Sequence, residues 1–254
     1  MRESRDKIIE IWSDSFKEGE WFLQNLASTY YEDRFSVNFR YNFQPIFKFR
    51  NEDGRSFVAE VYGHYSTWTP VPDVIKNVLK YGKPDIIVYN PLNKKIILSI
   101  EETAAVPTGN QSLQRLERVW FAAKSKIPFV YLISEYGLHV DGGVRKSSIW
   151  PAYLALKLSS QYQIPSLTLF YGSLTSPENY SVGSGVSVLT ELSFIYIMEW
   201  LGYNVKEEKE KLLRSLFRSM CTFVLGQAED IAILLPGLTM MNDTLIDFLM
   251  ERVK

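Results

Sequence analysis

Two carboxylates and the strands that carry them give this chain its clearest chemical signal. Asp85 opens the apolar run Asp85-Ile86-Ile87-Val88-Tyr89, and Glu101 lies near the end of a second run, Lys95 to Thr103. Between them, Asn90-Pro91-Leu92-Asn93-Lys94 has turn chemistry. Folded as an antiparallel hairpin centred on residue 93, the segment sets Asp85 against Glu101, Ile86 against Ile100 and Val88 against Leu98. Ile87 and Tyr89 then stand against Ser99 and Ile97, on the face of the carboxylates. Two adjacent carboxylates repel each other unless a cation lies between them. A hard divalent cation, usually Mg²⁺, answers that need. Held there, it would polarise a phosphate, activate a water and stabilise a leaving oxygen.

The surrounding elements follow from periodicity and punctuation. Residues 3–31 carry Ile8, Ile11, Trp12, Phe16, Phe22, Leu23 and Leu26 at helical spacing, which predicts two helices interrupted at Gly19. Residues 35–49 alternate, with Phe35, Val37, Phe39, Tyr41 and Phe43 on one side, as a strand does. Phe39, Tyr41 and Phe43 are read as core residues, with base stacking as the alternative. After a turn at Asn51-Glu52-Asp53-Gly54, Phe57 to Tyr65 is a second strand. Val74 to Tyr81 is a short helix with Asp73 as its N-cap. Beyond the hairpin, Gln111 to Lys124 is a helix that begins at Asn110, and Ile127 to Ser134 is a buried strand. Helix over 149–161 and strand over 166–171 come next, then a loop rich in Gly, Ser, Thr and Pro. Helices are predicted over 187–202, 206–225 and 242–253.

Pro84-Asp85, fifteen intervening residues and then Glu101-Glu102-Thr103 at a strand end resembles the PD-(D/E)XK nuclease superfamily, which includes most type II restriction endonucleases. The order hairpin, helix, strand matches the core of that superfamily over about residues 55–135. The resemblance implies an α/β fold, a restriction-endonuclease-like mixed β-sheet core flanked by helices. Residues 1–175 would form this core with its N-terminal helices. Residues 176–254 would be a helical extension packed on it, available for dimerisation or DNA reading. It also implies Mg²⁺ held by Asp85 and Glu101, cleavage of double-stranded DNA at specific sequences, and action as a homodimer that matches the two-fold symmetry of the duplex.

Thr103 stands where the superfamily usually has a lysine that places the attacking water. Lys83, which faces Thr103 in the same register, Thr103 itself and Gln111 are the candidates to take over that task. Gln111, Gln114, Arg115 and Arg118 form a polar stripe on the following helix, so its start leans over the carboxylates. Arg115 would contact the scissile or an adjacent phosphate, with Arg118, Lys124 and Lys126 as further DNA contacts. Glu60 is the candidate third acidic metal ligand, as an early glutamate is in some relatives. Glu102 is an edge residue of the core or a supporting ligand. A catalytically inactive nucleic-acid- or protein-binding module of the same fold is the alternative that Thr103 favours. A structure-specific repair-type nuclease is another.

Composition narrows the rest. With 28 basic and 29 acidic residues the net charge is −1, so any DNA contact uses a local basic surface rather than a general coat. One cysteine, Cys221, and two histidines exclude an internal disulfide and argue against a structural zinc site. The chain shows no signal-peptide core and no run of about 20 apolar residues, which points to a cytoplasmic protein without a membrane anchor.

Overall fold

The computed structural model describes residues 7–63, 70–103, 115–134, 136–138, 144–171, 184–228 and 243–253. The chain is α/β, with ten strands and seven α-helices among the described residues. None of these helices is long and apolar enough to cross a membrane. Two compact units make up the chain, Met1–Ile100 with Thr190–Asn204, and Glu101–Leu189 with Val205–Lys254.

In the first unit the strands lie in the order β6 (Lys95–Thr103, as far as Ile100), β5 (Ile86–Asn90), β1 (Lys7–Ser13), β4 (Ser56–Tyr62), β3 (Pro45–Arg50) and β2 (Phe35–Phe39). β1 runs parallel to β4, and the other neighbours are antiparallel. The segment predicted as the first N-terminal helix is therefore a strand, at the middle of this sheet. Ile9, Ile11 and Trp12 are buried. β4 on one side and β5 on the other supply the hydrogen bonds, and β-branched Ile8, Ile9 and Ile11 suit a pleated backbone. A strand covered on both faces need not alternate, so its apolar spacing resembles that of a helix.

Helix α1 (Phe16–Tyr30) begins at a capping box: Ser15 Oγ accepts from the Glu18 N–H, and Glu18 Oε2 accepts from the Ser15 N–H at 2.9 Å. Gly19 does not break this helix. It is where the helix lies against the sheet, because a Cβ there would come within 2.5 Å of Val61 Cγ1 and 2.9 Å of Ser13 Oγ. Gly19→Ala gains helix propensity of about 1 kcal/mol but forces this contact apart. We expect a net loss of about 1–2 kcal/mol, read as a lower urea midpoint; an unchanged or higher midpoint would show that the helix shifts freely. The aromatic core of the unit is built from Tyr31, Phe47, Phe49 and Phe57. The later half of helix α5 (Ser184–Leu201) completes it: Phe194 stacks on Tyr30 at 4.0 Å, and Trp200 meets Phe57 edge-on. Just beyond, the Tyr203 hydroxyl donates to Asp53 at 2.8 Å.

Helix α2 (Asp73–Leu79) is short. Pro72 takes the cap position, so Asp73 is the first helical residue rather than the N-cap, and it accepts from Lys76 Nζ at 3.1 Å. The hairpin of β5 and β6 has the expected register at its open end, Ile86↔Ile100, Ile87↔Ser99 and Val88↔Leu98. It then steps by one residue: Tyr89 pairs with Ile96 and Asn90 with Lys95, not Tyr89 with Ile97. Both faces of β5 are buried.

The second unit contains the end of β6, helix α3 (Leu116–Lys124), strand β7 (Phe129–Ser134), a small hairpin of β8 (Tyr136–Leu138) and β9 (Val144–Lys146), helix α4 (Trp150–Tyr162) and strand β10 (Ser166–Tyr171). Helices α6 (Lys206–Ala228) and α7 (Asp243–Arg252) follow. β7 and β10 are parallel neighbours, and every residue of β7 is buried, as its unbroken apolar run predicts. Buried Ser159 of α4 fixes the crossover to β10: its hydroxyl accepts from the Ser166 N–H at 2.9 Å and donates to Ser166 O at 3.0 Å. Cys221 of α6 is buried, and burial pushes its thiol up to about 11.

Candidate active site

The two carboxylates singled out as metal ligands lie at or near strand ends. Asp85 precedes β5, half-buried, and its backbone carbonyl accepts from the Asp14 N–H at 3.1 Å, where β1 ends. Glu101 follows Ile100 directly in β6. With Ile86 paired to Ile100, Asp85 and Glu101 are the next residues outward on their two strands. Burial pushes the Glu18 carboxyl up, and the charges of Asp85 and Asp14 push it the same way. Asp85 thus belongs to an acidic neighbourhood with Asp14 and Glu18. That neighbourhood was missed in the sequence because the β1–α1 junction was read as continuous helix. Serine before Phe16 with glutamate three residues later was the signal that could have located it.

In the second unit, Glu101 is fully buried, with 0% of its surface exposed, and is held by two arginines of α3 and its start. Arg115 Nη1 donates to Glu101 Oε1 at 2.6 Å and to the Glu102 carbonyl at 2.9 Å, and Arg118 Nη1 donates to Glu101 Oε2. The i, i+3 spacing that makes a stripe in the sequence aims both guanidinium groups at one carboxylate. A fully buried carboxylate needs such compensation, since removing a charge from water costs several kcal/mol. Arg115 and Arg118, expected on DNA phosphates, here serve Glu101. Thr103 is buried at the end of β6 and Glu102 is half-buried. Lys83 is exposed ahead of β5, beyond the paired register. Gln111 and Gln114, like the expected N-cap Asn110, lie outside the described residues.

Lys124 and Lys126 are exposed. Lys124 lies over the Trp120 ring at 4.9 Å, and Lys126 Nζ donates to the Tyr162 carbonyl. Arg145 and Lys146 are in β9.

Compared with known proteins, the chain matches no family model, no curated protein and no solved structure.

Glu60 is not placed as a third ligand beside Asp85. It lies on β4, separated from β5 by β1, which at strand spacing is about 10 Å away. Its carboxylate is instead taken by Arg40, at 2.7 and 3.2 Å, and by the Tyr62 hydroxyl at 2.8 Å. Among the described residues no three His, Cys, Asp or Glu side chains form a metal-ligating group. Glu60 has another neighbour that sequence reading missed. Glu10 of β1 is its register partner, and Trp12 Nε1 donates to Glu10 Oε2 at 2.8 Å while its ring stacks on Tyr62 at 4.6 Å. Burial, opposed by the Trp12 hydrogen bond and reinforced by the Glu60 charge, raises the Glu10 carboxyl above its usual range. A carboxyl raised in the folded state stabilises the fold below the unfolded pKa, and that contribution is lost as pH rises through the folded value. Glu10→Gln is therefore expected to raise the melting temperature near neutral pH and to leave it unchanged near about pH 4, the ordinary glutamate value. Equal shifts at both pH values would count against this account.

Proposed function

We propose that the chain is a metal-dependent nuclease that hydrolyses DNA phosphodiester bonds, with Asp85 and Glu101 as metal ligands. The observation that carries this reading is the Ile86↔Ile100 pairing, which leaves a carboxylate as the next residue on each strand, with helix α3 and strand β7 following. The donor set suits Mg²⁺, which binds through one or two carboxylates and takes its other ligands from water and substrate phosphates. When bound, Mg²⁺ supplies charge neutralisation at the phosphate and a more acidic water. Asp85 and Glu101 would hold it. Arg115 and Arg118 would keep the buried Glu101 charge compensated before substrate arrives, and one of them would turn to the phosphate as it docks. Lys83, Thr103 and Gln111 are the residues proposed to place the water. Sequence-specific cutting of both strands by two copies of the chain belongs to the same proposal.

One observation favours a second reading, a non-cutting binding module. Both oxygens of Glu101 already carry guanidinium partners, and Thr103 replaces the lysine. Incubating the chain with plasmid and phage DNA, with Mg²⁺ or with chelator, separates the two. Discrete fragments that need Mg²⁺ support the nuclease and its specificity, and a smear keeps the nuclease without the specificity. No Mg²⁺-dependent cutting on any DNA selects the binding module.

A further inference from the structure

Residues 35–49, whose alternation predicts one strand, are instead two antiparallel strands, and the aromatics at their tip do not stay in the core. β2 ends at Phe39, and Tyr41–Phe43 form a short 3-10 turn before β3. Phe39 is 59% exposed, Tyr41 95% and Phe43 83%. Three large exposed aromatics within five residues, at the end of β2 and in the turn after it, are costly in water. Phe43 also has φ +59°, a left-handed conformation rare for a bulky residue. The turn is nevertheless closed, because the Arg40 N–H donates to the Gln44 carbonyl at 3.0 Å. The base of the turn is fixed as well: Glu60 grips the Arg40 guanidinium through two hydrogen bonds while that side chain stays 55% exposed.

Charge indicates what the tip would meet. From Arg34 to Arg50 the chain has Arg34, Arg40, Lys48 and Arg50 and not one Asp or Glu, within a protein whose net charge is −1. Lys48 and Arg50 are exposed on the outward face of β3. Exposed aromatics on a hydrogen-bonded turn, beside a strand pair that carries Lys48 and Arg50 and no Asp or Glu, form the combination that binds unpaired nucleic acid: rings stack on bases, and cations follow the phosphates. A protein partner of apolar surface would explain the rings but not the exclusion of acidic residues.

We propose that the β2–β3 turn is a stacking platform for the unpaired bases of a nucleic-acid strand, with Tyr41 and Phe43 as the stacking residues and Arg40, Lys48 and Arg50 along the backbone path. The identity of the ligand rests on the nucleic-acid reading above, but the platform does not require that the chain cut anything.

Fluorescence anisotropy of the full chain with a labelled 20-nucleotide oligo-dT strand, a matched duplex and a duplex with a single-stranded gap tests it in chelator, where no cutting occurs. Base stacking is worth about 1–3 kcal/mol per base, so Tyr41→Ala and Phe43→Ala should each weaken binding to the strand and the gapped duplex about tenfold, leaving the intact duplex within about twofold. Tyr41→Trp should retain the affinity and Tyr41→Leu should lose it, since a base stacks on a ring rather than on an alkyl group. Exposed positions should tolerate these changes, and an unchanged thermal transition confirms folding. Absence of strand binding by the wild-type chain overturns the proposal, as does a Tyr41→Ala/Phe43→Ala double variant that binds normally. So does a result in which the substitutions alter only the sedimentation behaviour, which would assign the tip to a second copy. Binding that depends on Tyr41 without Mg²⁺-dependent cutting removes the nuclease and keeps the platform. Cutting that is indifferent to Tyr41 and Phe43, with strand binding equally indifferent, removes the platform and keeps the nuclease.

Discussion

If the chain is the nuclease proposed above, Asp85→Ala is expected to reduce its Mg²⁺-dependent cutting of DNA by about a thousandfold or more while leaving the chain folded. A metal ligand is worth several kcal/mol of transition-state stabilisation, and each 1.4 kcal/mol is about a factor of ten in rate. The fold should survive because the main-chain tie at this position, Asp14 N–H to Asp85 O, does not depend on the side chain. Rates of supercoiled-plasmid nicking, compared at equal concentrations with circular dichroism as the folding control, measure the effect. A folded Asp85→Ala variant that cuts within tenfold of wild type would remove this residue from the site.

The largest expected loss of stability comes from Arg115→Ala/Arg118→Ala together. Each single variant leaves Glu101 one guanidinium partner. The double variant leaves a fully buried carboxylate without either, and breaking a buried pair in this way costs about 3–5 kcal/mol. Glu101→Gln should cost less, although it disrupts the same contacts. The arginines it leaves behind are 34% and 23% exposed and can turn towards water. Urea denaturation of the four variants gives the ranking, and a double variant within about 1 kcal/mol of wild type would mean that Glu101 is compensated elsewhere. The same measurement bears on the metal. If Asp85 and Glu101 hold Mg²⁺, adding it should stabilise the double variant more than the wild type, because the cation takes over the role of the guanidinium groups.

The hairpin of residues 85–103 was legible almost pair by pair. Apolar runs on both strands, with a strong turn between them and a carboxylate just beyond each, leave few registers that pair both sets of side chains. The step after Val88 was not legible, because Ile96 and Ile97 are equally apolar and nothing local selects which of them meets Tyr89. Strand β1 was misread for a related reason: burial on two faces removes the period-two signal, and only Ile8, Ile9 and Ile11 hint at the strand. Of the stripe predicted on a helix from Gln111, Arg118 lies on α3 and Arg115 is at its N-cap, while Gln111 and Gln114 lie outside the described residues. The partner of the two arginines was not legible, since a guanidinium serves a buried carboxylate and a phosphate through the same geometry. The carboxylate pair Glu10 and Glu60 depends on parallel pairing between segments far apart in the chain, which no local spacing encodes.

The make-up of the first unit has a consequence for synthesis. Its middle strand, β1, emerges from the ribosome first but has no hydrogen-bonding neighbours until β4 and β5 exist. Its aromatic core remains open until Phe194 and Trp200 arrive, after most of the second unit has been made. A nascent chain stalled near residue 100 would hold Phe49, Phe57 and Tyr31 without their final cover. Early fragments should therefore bind chaperones and fail to fold when expressed alone. The long sequence separation of these contacts also predicts slow folding for a chain of this size.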